Sequence, residues 1–124
     1  MSVTIEWDNP QQTAIRWAFS GVWTWEEMNR VENTFRTLID DAEQTVDIIL
    51  DMTHSAFLPM KAVERLNEVI SSVRHTRGII FIVGANTMIQ LMFRAYGGLS
   101  ESLTYAYGFV DTIDEARDII HVRD

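Results

Sequence analysis

Residues 46–66 read VDIILDMTHSAFLPMKAVERL, and this stretch decides the fold. Val46 to Leu50 is almost wholly apolar and rich in β-branched side chains, as expected of a strand covered on both faces. Asp51 ends the run. Thr53, His54 and Ser55 follow in what reads as a loop, and Pro59 suits the first turn of an amphipathic helix. A buried strand that passes through a loop into a helix is the first half of a parallel strand–helix–strand unit. Polar side chains on such a loop are held between rigid elements, where functional groups concentrate.

Outward from this stretch the pattern repeats. Val63, Leu66, Ile70 and Val73 form the apolar stripe of the second helix, opposite Lys61, Glu64, Arg65 and Glu68, and the spacing predicts its end near His75 or Thr76. Gly78 precedes IIFIV, a second doubly covered strand. Gly84-Ala85-Asn86 makes a turn, and Asn86 can cap a third helix from Thr87 to about Tyr96, which Gly97-Gly98 is expected to stop. A short strand at Tyr107 to Val110 leads to a capping box, Thr112 to Glu115, and a last helix carrying Ile113, Ala116 and Ile120.

At the other end, Val3, Ile5 and Trp7 alternate with polar residues, Asn9-Pro10 turns the chain, and Ile15, Trp17 and Phe19 alternate again, which predicts a hairpin. Thr24 and Glu27 form a first capping box, with Trp23 and Met28 at the staple positions, and Trp25, Met28, Phe35, Leu38 and Ile39 share one helical face, with Glu32 at its edge. The order is ββαβαβαβα. The expected fold is α/β: one layer domain over residues 1–124, a mixed sheet of about five strands opened by an antiparallel hairpin, and about four helices.

A chain of 124 residues with 47% hydrophobic residues can bury one core without staples. Its net charge of −8 repels phosphate backbones and anionic bilayers, so nucleic acid is not an expected partner. The absence of cysteine removes disulfides, zinc thiolates and thiol catalysis. No apolar run approaches the roughly 20 residues of a membrane span, and Met1 leads into VTIEWD without a signal-like pattern. The expectation is a cytoplasmic protein that does not insert into membranes.

With this order, the chain resembles the STAS domain, the fold of bacterial anti-sigma factor antagonists and of the cytoplasmic tails of sulphate transporters. Two stretches carry the likeness: VDIILDMTHSAFLPMKAVERL, and AYGGLSESLTYAYGFVDTIDEARDII at residues 95–120. In antagonists of the family the loop after the strand's Asp leads into Asp-Ser-Ser-Gly or a relative, whose first serine is phosphorylated by a partner kinase. Laid on this chain without gaps, the four positions fall at Pro59, Met60, Lys61 and Ala62. The resemblance thus puts Met60 where the phosphoacceptor stands, and methionine has no hydroxyl to carry the switch. A gapped alignment offers Ser55 or Thr53 as phosphoacceptor instead. The resemblance extends to a SpoIIAA-like branch that lacks the serine and is grouped with lipid-binding domains of the CRAL-TRIO type.

Other candidate sites have weaker support. Asp51, His54 and Ser55 include the residue types of a hydrolytic triad, but they crowd into five positions of one loop with no nucleophile elbow. His54, His75 and His121 are too dispersed for a metal site, so neither metal nor cofactor is expected. Gly84-Ala85-Asn86-Thr87 could present amides to an anion, yet it lacks a Walker lysine and reads as a helix cap. The third helix is unusually apolar: Met88, Ile89, Met92, Phe93 and Tyr96 suggest either a patch for a partner or burial all round. The leading expectation is a non-enzymatic STAS-like module that binds a protein partner, or itself as a homodimer, through Asp51, Thr53, His54, Ser55, Pro59, Met60 and Lys61. The alternative is a carrier for a small apolar ligand or lipid between the third helix and the sheet.

Overall fold

A computed structural model describes residues 2–56, 58–59, 61–71, 77–99 and 107–123, apart from the side chains of residues 71, 77, 96–99, 107 and 122–123. The elements follow the expected order: β1 (Val3–Trp7), β2 (Ala14–Gly21), α1 (Trp25–Asp40), β3 (Val46–Ser55), α2 (Ala62–Ser71), β4 (Arg77–Val83), α3 (Thr87–Leu99), β5 (Tyr107–Val110) and α4 (Ile113–Arg123). The five strands form one sheet in the order β1-β2-β3-β4-β5. β1 pairs antiparallel with β2, and the other pairs are parallel.

Because β2 to β5 lie in chain order, the three crossovers advance in one direction, and their usual right-handed sense puts α1, α2 and α3 on one face of the sheet. The core agrees. Ile48, Leu50 and Met52 of β3 and Ile80 and Ile82 of β4 pack with Phe35, Leu66, Ile89 and Phe93 of the three helices. The intervening Ile49, Phe81 and Val83 face the other way, onto Ala116 and Ile120 of α4. This two-sided cover is why β3 and β4 read as continuous apolar runs.

Polar groups fix the joints. Asn9 Oδ1 accepts Thr13 N–H and Asn9 Nδ2 donates to Thr13 Oγ1, which closes the hairpin turn. Asp47 is buried and its Oδ1 accepts Ile79 N–H at 2.8 Å, bridging a register shift between Val46 and Ile48 in the β3–β4 pair. Asp8 joins the ends of the chain: Arg117 of α4 grips its carboxylate through Nε at 3.0 Å and Nη2 at 2.8 Å, and Arg16 approaches at 3.5 Å. That hydrogen bond to Asp8 also holds the Arg117 guanidinium above its ordinary pKa.

Four expectations about element ends are corrected. β3 does not end at the acid; it continues to Ser55 because β2 goes on pairing with it, through Ser20 with His54 and Gly21 with Ser55. α2 begins at Ala62 rather than Pro59, whose carbonyl accepts Ala62 N–H. α3 passes through Gly97-Gly98 to Leu99, since glycine in a helix costs only about 1 kcal/mol and does not by itself end one. In the first capping box Thr24 Oγ1 accepts Glu27 N–H, but the Glu27 carboxylate takes the Thr24 hydroxyl and Ser2 N–H. The expected end of α2 near His75 or Thr76, and Val73 of its stripe, lie outside the described residues.

Candidate functional site

The carboxyl ends of β3, β4 and β5 and the starts of the helices share one edge of the molecule, as parallel strand–helix units require. On this edge β3 carries a bulge. The pairing with β2 slips between Ala18 and Ser20, so that β3 advances three positions, from Asp51 to His54, where β2 advances two. A strict alternation starting from buried Met52 would turn His54 inward. The extra residue changes the phase: Thr53 and His54 are both exposed, and Ser55 is buried. Bulges re-aim side chains in this way and are frequent near functional sites.

Each polar group here has a defined setting. Asp51 Oδ1 accepts the Thr53 amide at 3.0 Å and the Thr53 hydroxyl at 2.6 Å, so the acid holds the bulge. Ser55 Oγ accepts the indole N–H of Trp23 at 3.2 Å inside the protein. Ser55 is therefore a structural hydroxyl, and the exposed phosphoacceptor candidate of the two is Thr53. Gly84, at φ +64°, lies against Thr53: a Cβ there would come within 2.5 Å of Thr53 Oγ1 and 2.9 Å of its Cα. Asn86 Nδ2 donates to Ala56 O at 3.2 Å while its Oδ1 accepts Ile89 N–H at 2.9 Å. Asn86 thus caps α3 as expected, and Gly84 and Asn86 in addition hold the turn before α3 against the end of β3. Asp51 Oδ1 is engaged by Thr53 and Ser55 Oγ by Trp23, so both side chains have structural partners outside the three residue types of a triad.

The second part of the site is the start of α2. Lys61 precedes the helix with φ +65°, a left-handed backbone that a residue with a Cβ seldom adopts. Its side chain is exposed, and its carbonyl accepts Arg65 N–H. Lys61 lines a cleft of about 380 Å³ between α1 and α2, together with Trp25, Asn29, Glu64, Arg65 and Glu68. The cleft's helix-helix contact is closed by Arg65, which donates to Glu32 at 2.6 Å and lies 3.4 Å from Glu68. Glu32, expected at the edge of the α1 face, is the acid that joins the two helices, and it also pairs with Arg36. The cleft was not legible as a unit in the sequence. Its signal is the i, i+4 spacing of Trp25 with Asn29 and of Lys61 with Arg65, which aligns only once the two helices are known to run side by side.

Of the remaining expected site residues, Pro59 is half-buried just before α2, and Met60 and the Tyr96 side chain lie outside the described residues. The expected patch on α3 is divided by the helix itself. Ile89 and Phe93 are buried against the sheet and belong to the core, a correction to their place in the patch. Met92 is partly buried, and the exposed apolar residues are Met88, at 64%, and Leu91, at 60%. Residues 89 and 93 share the inward face of a 3.6-residue helix, whereas 88 and 91 stand on the outward one. Nearby, Arg94 lies over the Phe109 ring, 5.0 Å from its centre. Among the described residues no group of three or more acidic or histidine side chains could hold a metal, and no helix is long and apolar enough to cross a membrane.

No protein-family model matches the sequence, and no curated protein matches it. Solved structures do match. The anti-sigma factor antagonist SpoIIAA, in its unphosphorylated form, aligns with a TM-score of 0.69 over 97% of this chain and 96% of its own, at 15% identity. An uncharacterized protein of the DUF3478 family with a SpoIIAA-like fold, from Shewanella loihica PV-4, aligns with a TM-score of 0.67 over 94% of this chain and 90% of its own, at 13% identity. The hairpin-led five-stranded sheet with its four helices is thus a SpoIIAA-like fold, the fold expected of a STAS-like chain.

Proposed function

We infer that this chain is a non-enzymatic interaction module, regulatory in the manner of an anti-sigma factor antagonist, that binds a protein partner through the end of β3 and the start of α2. It acts without phosphorylation at the position where Met60 stands. The observation that carries this reading is the bulge at Asp51 to His54, which places Thr53 and His54 outward together on the same edge as exposed Lys61. Fixed, exposed polar groups on a rigid edge are suited to surface recognition, and Asp51 and Ser55 are already engaged within the protein. The carrier reading has less support, because Ile89 and Phe93 of α3 are packed into the core.

The test is recovery of a partner by the wild-type chain and comparison of His54→Ala and Lys61→Ala, together with the mass of the chain in solution. A partner, or a second copy, whose binding both substitutions weaken supports the reading. A strict monomer whose only partner is indifferent to both would overturn it. Intact mass of protein isolated from its own cells tests the displaced switch: a phosphate increment that Thr53→Ala abolishes would assign that residue, whereas one that survives would exclude it.

A further inference from the structure

Resting on the interaction reading above, we propose that the cleft between α1 and α2 receives an acidic segment of the protein partner. Lys61 selects for its carboxylate, and Trp25 is the wall against which the adjoining side chain of the segment packs.

The first ground is the state of the cations. Arg16, Arg30, Arg36, Arg65 and Arg117 are each held by an acid of the same chain. Lys61 is different: no acid among the described residues pairs with it, and it is exposed at the cleft. In a molecule with net charge −8 an uncommitted cation is scarce. Its left-handed backbone, at φ +65°, sets where the side chain leaves the chain and carries a conformational cost.

The second ground is direction. β2 and β3 are parallel, so α1 and α2, which follow them, run side by side with their N-termini at the same edge. Trp25 begins α1 and Lys61 precedes α2, so the positive ends of both helix dipoles flank the cleft near these two residues. Thr24 caps α1 by accepting Glu27 N–H, and asparagine and threonine cap α3 and α4. Lysine has no acceptor with which to do the same for α2. The Lys61 charge and the two helix dipoles favour an anionic group.

The third ground is the apolar wall. Trp25 is partly buried and packs against the core, with its ring edge-on to Trp23 at 6.2 Å. It is therefore a rigid surface, of the kind that anchors interfaces. A space of about 380 Å³ is at the small end of ligand pockets and suits one or two side chains of a segment rather than a whole lipid. Glu64 and Glu68 lie on the α2 side, and Glu68 is offset by Arg65. Glu64 is the acid that opposes the proposed ligand, so it gives the test its sign.

The probes are three capped tetrapeptides that share one phenylalanine, flanked by aspartate and glutamate, by asparagine and glutamine, or by lysine and arginine. Each is titrated into the full 15N-labelled chain while the Trp25 indole and the Asn29 and Lys61 amides are followed by NMR. The acidic peptide is expected to shift these three signals, with affinity lowered about tenfold by Lys61→Glu and raised severalfold by Glu64→Gln. Lys61→Gln, which keeps a long polar side chain, should lose most of the same affinity. The proposal fails if the neutral or basic peptide binds there as well as the acidic one, if Glu64→Gln weakens binding, or if no peptide moves the three signals. Failure here leaves the interaction reading standing when a recovered partner still depends on His54 but is indifferent to Trp25→Ala and Lys61→Glu; loss of dependence on both sets sinks the two together.

Discussion

Gly84 makes the closest backbone approach at the candidate site, and two separate constraints act on it. Its φ of +64° lies where a Cβ is strained, and any Cβ would also press on Thr53, including backbone at 2.9 Å that cannot rotate away. Gly84→Ala is therefore expected to destabilise the chain by about 2–4 kcal/mol, the sum of a left-handed penalty and a forced backbone shift. Urea unfolding measures it, and a loss below about 1 kcal/mol would mean that the turn and the bulge do not press together. Lys61 offers the opposite case. At φ +65° its own Cβ already bears the left-handed penalty, so Lys61→Gly should stabilise the chain by about 0.5–1 kcal/mol, after allowing for the extra freedom glycine has when unfolded. A stability gain combined with weaker partner binding is the signature of strain retained for function.

At the scale of elements, what the sequence makes legible and what it hides have different physical origins. The order ββαβαβαβα follows from local periodicity: alternation in Val3 to Trp7, the almost wholly apolar runs Val46 to Leu50 and Ile79 to Val83, and the stripes of α1 and α2. The extension of β3 through Thr53, His54 and Ser55 does not, because those residues are strand only by virtue of their pairing with Ser20 and Gly21. The burial of Ser55 likewise depends on Trp23, 32 positions away. The α1–α2 cleft depends on two helices lying side by side, which no window of sequence contains. The placement of α4 is a further case. It follows the last strand without a crossover to constrain its face, and Arg117 holds it to the hairpin through Asp8, whose side chain is only 3% exposed. Arg117→Ala should cost about 1–2 kcal/mol and speed amide exchange in residues 113–121. The loss stays moderate because Arg117 is itself 44% exposed and Arg16 remains near Asp8. Arg117→Lys should recover only part of it, since an ammonium cannot grip both carboxylate oxygens in the same way. Equal exchange rates in α4 of wild type and Arg117→Ala would show that Ala116 and Ile120 hold the helix unaided. The raised pKa of Arg117 leaves this clamp insensitive to pH from the cation's side: its contribution would be lost only on rising through that raised value, well above neutrality.

Across the whole molecule, 18 acidic residues outnumber 10 basic ones, and this imbalance governs the long-range electrostatics. Most of the described arginines are already paired within the chain, so the excess acids have few positive neighbours and repel one another across the surface. At about 0.01 M ionic strength the screening length is roughly 30 Å, comparable with the size of a small domain, and at about 0.15 M it is roughly 8 Å. Salt should therefore relieve more repulsion than it weakens attraction. The Glu6–Arg16 and Glu26–Arg30 pairs are exposed and contribute little to lose, while the attraction at Asp8 is short-ranged and shielded by burial. The melting temperature, followed by circular dichroism, is accordingly expected to rise by several degrees between about 10 and about 200 mM sodium chloride. A fall over that range would show that ion pairs outweigh net repulsion. The same change of salt bears on recognition: if the partner segment at Lys61 is acidic, it must approach an acidic molecule, so added salt should speed its association instead of slowing it, the reverse of ordinary electrostatic steering.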